Sequence, residues 1–132
     1  MHGAIKLFTV IALFSLPTVM YGGYSLLRLL SARKLSEFQV AYFRAGHAHA
    51  GVLLILSLVV LDVLDRNRVG AGTAWIVCVL LLVGVLAQSG GMFVHMAVGR
   101  PGKWSVGNTV TTGGAVLLAA ALITTAIAVI AA

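Results

Sequence analysis

Four long apolar stretches, separated by short polar segments, dominate the pattern of this 132-residue chain. They cover approximately 7–27, 46–64, 74–97 and 106–131, which is close to or above the roughly 20 residues that a helix needs to cross a bilayer. The segments between them are rich in Gly, Pro and charged residues, which break helices. Because short loops make consecutive helices antiparallel neighbours, the pattern predicts an all-α, integral membrane, four-helix up-and-down bundle in one domain over 1–132.

Composition agrees with a membrane protein. Hydrophobic residues make up 61% of the chain and charged residues only 9%, whereas about a quarter of the residues of a typical soluble domain are charged. The net charge of +6 is explained by loops that face anionic lipid, so we expect the lipid bilayer as a partner and no nucleic acid. Cys78 lies in the middle of an apolar stretch and is expected to pack as a small apolar side chain.

The distribution of basic residues predicts an orientation. One side would hold six basic residues, namely Arg28, Arg33, Lys34, Arg44, Arg100 and Lys103, and the other side three, namely Lys6, Arg66 and Arg68. The positive-inside rule then places loops 31–45 and 98–105 in the cytoplasm and both termini outside. We expect the plasma (inner) membrane of a prokaryote, with His2 solvated near the terminus.

Histidines are the notable polar residues of the apolar stretches. His47 and His49 lie in the small-residue run 42–51, and His95 lies in the run 90–96 near the end of the third stretch. Ionisable groups inside membrane spans are costly and usually mark function. Three histidines therefore indicate a bound metal or haem.

The spacing to basic residues predicts which histidines meet. His49 follows Arg44 by five residues and His95 precedes Arg100 by five, about 7.5 Å along a helix in each case. If both arginines mark the same membrane surface, these histidines lie at the same depth on neighbouring helices and form an axial pair for haem iron. Arg100 and Lys103 would then contact the haem propionates.

His47 plays a different part in this prediction. It is two residues from His49, so the two side chains point about 200° apart on a regular helix. His47 is therefore an alternative ligand, or a ligand of a second haem across a homo-oligomer interface. Gly51 and Gly91 would let a flat macrocycle or another helix approach closely, and Tyr24 lies in the same predicted layer.

The sequence His47-Ala48-His49 resembles the haem-binding helix of haem-copper oxidase subunit I, in which two histidines on opposite faces ligate two haems. It is also similar to small membrane proteins that carry a His-x-His near a span. The resemblance is confined to 42–51; the chain lacks the adjacent histidine pair and the copper site of the oxidase and has too few spans, so oxygen reduction is not implied. The resemblance implies haem ligation by His47 or His49, whereas His95 enters from the depth argument.

The leading hypothesis is a b-type haem-binding membrane protein for electron transfer or redox sensing, with a quinone or a redox protein as a possible partner. One alternative is a non-haem Cu, Zn or Fe site formed by the three histidines. Another is a cofactor-free accessory subunit of a larger membrane complex, with interfacial histidines bonded to carbonyls or lipid head groups. The chain has no Ser-His-Asp constellation and no Gly-rich phosphate loop, so hydrolysis has no support.

Overall fold

The computed structural model describes residues 3–132, which form four α-helices and no strand. The helices are α1 (Gly3–Ser31), α2 (Glu37–Arg66), α3 (Ala71–Val98) and α4 (Val106–Ile130). All four are long and apolar enough to cross a membrane, and each contains most or all of one predicted span. The predicted all-helical, four-span fold is confirmed, while His2 lies outside the described residues.

The second helix begins nine residues before its predicted span, at Glu37 rather than at 46. Ser36 starts it with a capping box, in which the backbone N–H of Gln39 donates to Ser36 Oγ at 3.3 Å and the backbone N–H of Ser36 donates to Gln39 Oε1 at 3.0 Å. The prediction of a loop over 31–45 is therefore wrong for 37–45. At 1.5 Å per residue this helix is about 45 Å long, so it must tilt or project beyond a hydrocarbon core of about 30 Å.

The helices follow one another in an antiparallel order, with α3 in the most central position. α3 packs most extensively against α4 and also contacts α2 and α1. α2 touches α4 only over a short stretch, and α1 and α4 make no contact within the described residues. The first and last helices therefore lie on different sides of the α2–α3 pair. As a result, α2 and α4 are only loosely packed against each other.

The apolar core is concentrated in the membrane half farther from the histidines. The largest fully buried side chains there come from the start of α1, the end of α2 and the first half of α3: Ile5, Leu61, Leu64, Val77 and Cys78. The surrounding lipid-facing positions are exposed and mostly aliphatic, with Phe14 and Trp75 among them, as expected for a protein whose outer surface contacts hydrocarbon.

Glycines bring α3 and α4 into close contact. A methyl group added to Gly107 would meet the backbone nitrogen of His95, and one added to Gly114 would meet that of Gln88. Gly91 faces the same interface, because an added methyl would lie 2.7 Å from the carbonyl oxygen of Gly107. Small residues allow such close approach of membrane helices. Gly91, a predicted cofactor contact, is therefore part of the α3–α4 packing.

The antiparallel order places loops 32–36 and 99–105 at one end of the molecule and loop 67–70 at the other. The end with the first and third loops is the one that carries the six basic residues. We call it the basic end. Its cytoplasmic location stays a prediction.

Candidate histidine sites in the membrane

His95 is a buried residue that joins α3 to the beginning of α4. Only 2% of its surface is exposed, and its Nδ1 lies 2.6 Å from Ser105 Oγ. The same serine oxygen accepts a hydrogen bond from the backbone N–H of Gly107 at 3.1 Å and so caps α4. His95 therefore holds the third loop against the start of the last helix.

Aromatic rings of α2 cover the His95 imidazole. Its ring centroid lies 4.3 Å from that of Tyr42 and 5.3 Å from that of Phe38, both in edge-on arrangements. Tyr42 is seven residues from His49, about 10 Å along α2. The contacts thus correct the predicted common depth: His95 lies nearer the basic end than His49 by about two helical turns.

The error has a physical cause. Arg44 does not mark the start of α2, because that helix continues for seven further residues towards its N-terminus. Arg44 is exposed, and a long arginine side chain can reach the membrane surface from a backbone position below it. Arg44 and Arg100 are therefore not equivalent depth markers.

His49 has one ring nitrogen fixed and one available. Its Nδ1 lies 2.8 Å from the carbonyl oxygen of Ala45, one turn earlier in α2. A carbonyl can only accept, so Nδ1 carries the proton. In the neutral ring Nε2 is then an unprotonated acceptor, which is the form that binds a metal. The side chain is half-buried.

His47 lies against a pair of glycines in α1. A methyl group added to Gly23 would lie 3.0 Å from His47 Nε2, and one added to Gly22 would lie 3.5 Å from Nδ1. The ring would have to shift by a few tenths of an ångström to accept even a methyl group at Gly23. Within residues 3–132 His47 makes no side-chain hydrogen bond. Its imidazole therefore packs between α1 and α2 against Gly22 and Gly23, which carry no side chain and which we call the glycine slot. Neither ring nitrogen has a hydrogen-bond partner among the residues that the structure describes.

The three histidines do not share one site. His47 faces α1, and the separation of about 200° directs His49 away from α1, towards the side of the α2–α3 pair on which α4 lies. His95 is held by Ser105 and Tyr42 closer to the basic end. In the described part of the chain no three His, Cys, Asp or Glu residues are grouped closely enough to hold a metal ion.

The remaining predicted site residues lie apart from the histidines or serve packing. Arg100 and Lys103 are exposed in loop 99–105 at the basic end. Tyr24 is 56% exposed, with its ring centroid 6.3 Å from that of Tyr21. A methyl group added to Gly51 would lie 3.7 Å from Val19 Cγ1, an ordinary contact with α1.

Sequence reasoning missed the residues that support the histidines. Ser105 could have been found, because Ser105 and Asn108 have the spacing of a capping box. The two adjacent glycines at 22–23 are visible in the first apolar stretch, where they indicate a part of the helix surface without side chains. The aromatic partners of His95 gave no signal, since they belong to a segment that was predicted to be a loop.

Comparison with protein-family models, curated proteins and solved structures finds no match to this chain.

Proposed function

We propose that this chain is a b-type haem protein of the membrane, with His49 as an axial ligand through Nε2, acting in electron transfer or redox sensing. The observation that carries the proposal is the contact between His49 Nδ1 and the carbonyl oxygen of Ala45 at 2.8 Å. Histidines that ligate metals generally donate their other ring N–H to a carbonyl, a carboxylate or water, which fixes the tautomer and the ring orientation.

The surroundings of His49 support access for a large flat cofactor. Ala45 precedes it by one turn and has a small side chain, and Val52, three residues later, is 65% exposed to the bilayer. The half-buried His49 therefore lies at the border between lipid and the packed interior, where Leu53 and Leu56 of the same face contact the core. A haem could approach along this face with its apolar ring edge in hydrocarbon.

The arrangement of the helices supports the same location. α2 and α4 contact each other only slightly while both pack on α3, and we infer that the space between them is open to the bilayer. Arg100 and Lys103 stand at the basic end of the molecule, on the side from which haem propionates would reach towards cations.

The second axial position distinguishes the two proposed roles. His95 is an unsuitable partner, because two aromatic rings and Ser105 hold it about 10 Å nearer the basic end. A second copy of the chain would complete a six-coordinate haem suited to electron transfer. A five-coordinate iron would leave an open position suited to sensing a small ligand.

An absorption spectrum of the protein purified in detergent from cells supplied with haem precursor tests the proposal. We expect a Soret band that sharpens and shifts when dithionite is added, together with the narrow visible bands of reduced b-type haem. Extraction should yield one haem per one or two chains. A preparation that is folded by circular dichroism but has no Soret band would contradict haem binding and favour a cofactor-free accessory subunit.

A further inference from the structure

A cavity of about 210 Å³ lies between α1, α2 and α3. Its walls are mainly aliphatic, and the hydroxyl-bearing side chains among them all donate to carbonyls of their own helices, three or four residues earlier, at 2.6–2.8 Å. These side chains are Ser15, Thr18, Ser57 and Ser89. The hydroxyl protons are thereby used within the helices, so the cavity is suited to a hydrocarbon chain.

The end of the cavity nearer the basic end leads towards His47. Val19 on α1 and Ala50 on α2 line it there. Gly23 lies four residues beyond Val19 and His47 lies three residues before Ala50, which is about one helical turn on each helix. The imidazole and the two glycines therefore lie about one turn beyond the lining residues of the cavity, between the same two helices.

The unpaired ring nitrogens of the half-buried His47 are accessible to a polar partner. A neutral imidazole has one donor and one acceptor, and leaving such groups unpaired in apolar surroundings is unfavourable. His47 is three residues deeper than Arg44, about 4.5 Å. A charged phospholipid head group stays at the level of the basic side chains. The partner must therefore be uncharged and soluble below that level.

We propose that His47 and this cavity form the binding site of a membrane quinone. The isoprenoid tail would occupy the cavity, and one carbonyl oxygen of the ring would accept a hydrogen bond from His47. His47 itself packs against Gly22 and Gly23, so the quinone ring would lie on the cavity side of the imidazole. The site lies on the opposite face of α2 from His49 and does not rest on haem binding there.

Quinone binding can be measured with the full chain in phosphatidylcholine nanodiscs. The probe is a benzoquinone with a ten-carbon alkyl tail, and its binding is followed as saturable quenching of tryptophan fluorescence. Removing one hydrogen bond in His47→Phe should weaken the affinity about tenfold. His49→Phe, a matched change on the opposite face, should leave it unaltered.

An alkylbenzene of the same tail length has no carbonyl oxygens, so it distinguishes the contribution of the quinone head to the affinity from that of the tail. It should displace the quinone with the same affinity from the natural protein and from His47→Phe. Ala50→Leu, which narrows the cavity, should weaken both ligands several-fold. Equal quinone affinity in the His47→Phe, His49→Phe and natural proteins, or the absence of saturable quenching, would overturn the proposal.

The haem spectrum distinguishes a failure of the quinone site at His47 from a failure of haem binding at His49. A folded His47→Phe protein should keep its Soret band while it loses quinone affinity. Absence of the Soret band from a natural protein whose quinone binding depends on His47 would contradict only the role of His49. Co-purified phospholipid as the sole occupant of the cavity, resistant to displacement by the quinone, would also contradict the quinone site.

Discussion

At the scale of single residues, three histidines in similar sequence surroundings have three different environments. His95 has a serine and two aromatic rings around it, His49 has a backbone carbonyl on Nδ1, and His47 has a glycine slot and no hydrogen bond. The opposite directions of His47 and His49 were predictable from helical geometry alone. The role of His95 was not, because its partners come from two other helices whose relative depth the sequence does not give.

Ser105→Ala tests whether His95 is a structural residue. The change removes both the N-cap acceptor of α4 and the partner of a buried imidazole, so we expect a loss of about 1–3 kcal/mol in unfolding free energy. Denaturation in detergent, followed by circular dichroism, measures it. Ser31→Ala is the control, since that exposed hydroxyl only bonds the carbonyl of Leu27 at 2.9 Å. Equal stability of the two variants would contradict the role assigned to Ser105.

At the scale of the helices, hydrophobic length predicted all four spans, but local capping decided where they begin. The polar stretch before the second span reads as a loop by hydropathy, yet the capping box of Ser36 and Gln39 starts the helix there. The same signature at Ser105 and Asn108 starts α4. The close α3–α4 packing was predictable only as a tendency of small residues, since periodicity does not say which neighbour a glycine faces.

Gly114→Ala tests the close packing of α3 and α4. The added methyl group would meet the backbone of Gln88, which cannot rotate away, so the helices must separate. We expect a loss of about 1–3 kcal/mol in unfolding free energy. Gly113→Ala is the neighbouring control, because an added methyl has no atom within 4 Å, and it should be neutral or slightly stabilising. Denaturation in detergent compares them, and equal losses would argue against glycine-dependent packing.

At the scale of the whole molecule, the order of the helices gives the two sides of α2 different surroundings. The α1–α2–α3 cavity lies on one side of α2, and on the other side α2 contacts α4 only slightly. His47 lies about one helical turn from residues that line the cavity, and the His49 side chain points about 200° away from His47. A donor and an acceptor bound on these two sides would be separated by the width of one helix. The sequence predicted that His47 and His49 lie on opposite faces of one helix. The cavity depends on tertiary packing, which no local pattern encodes.

Accessibility labelling tests the predicted orientation of the molecule. In a Cys78→Ala background, Lys34→Cys and Lys103→Cys should resist a membrane-impermeant maleimide in intact cells and react after the cells are opened. Arg68→Cys should react in intact cells, because loop 67–70 lies at the opposite end. The expected side follows from the six basic residues at one end. Reaction of all three in intact cells, or of the two lysine positions alone, would contradict this orientation.

The assignment of His49 and His47 to different ligands is the central claim. Its most direct test is the reduced-minus-oxidised absorption spectrum of His49→Gln beside that of His47→Gln, each normalised to folded protein. We expect His49→Gln to lose the b-type haem signal and His47→Gln to keep it, since only His49 has its Nδ1 fixed for ligation through Nε2. Loss of the signal in His47→Gln alone, or its full retention in both variants, would contradict the account.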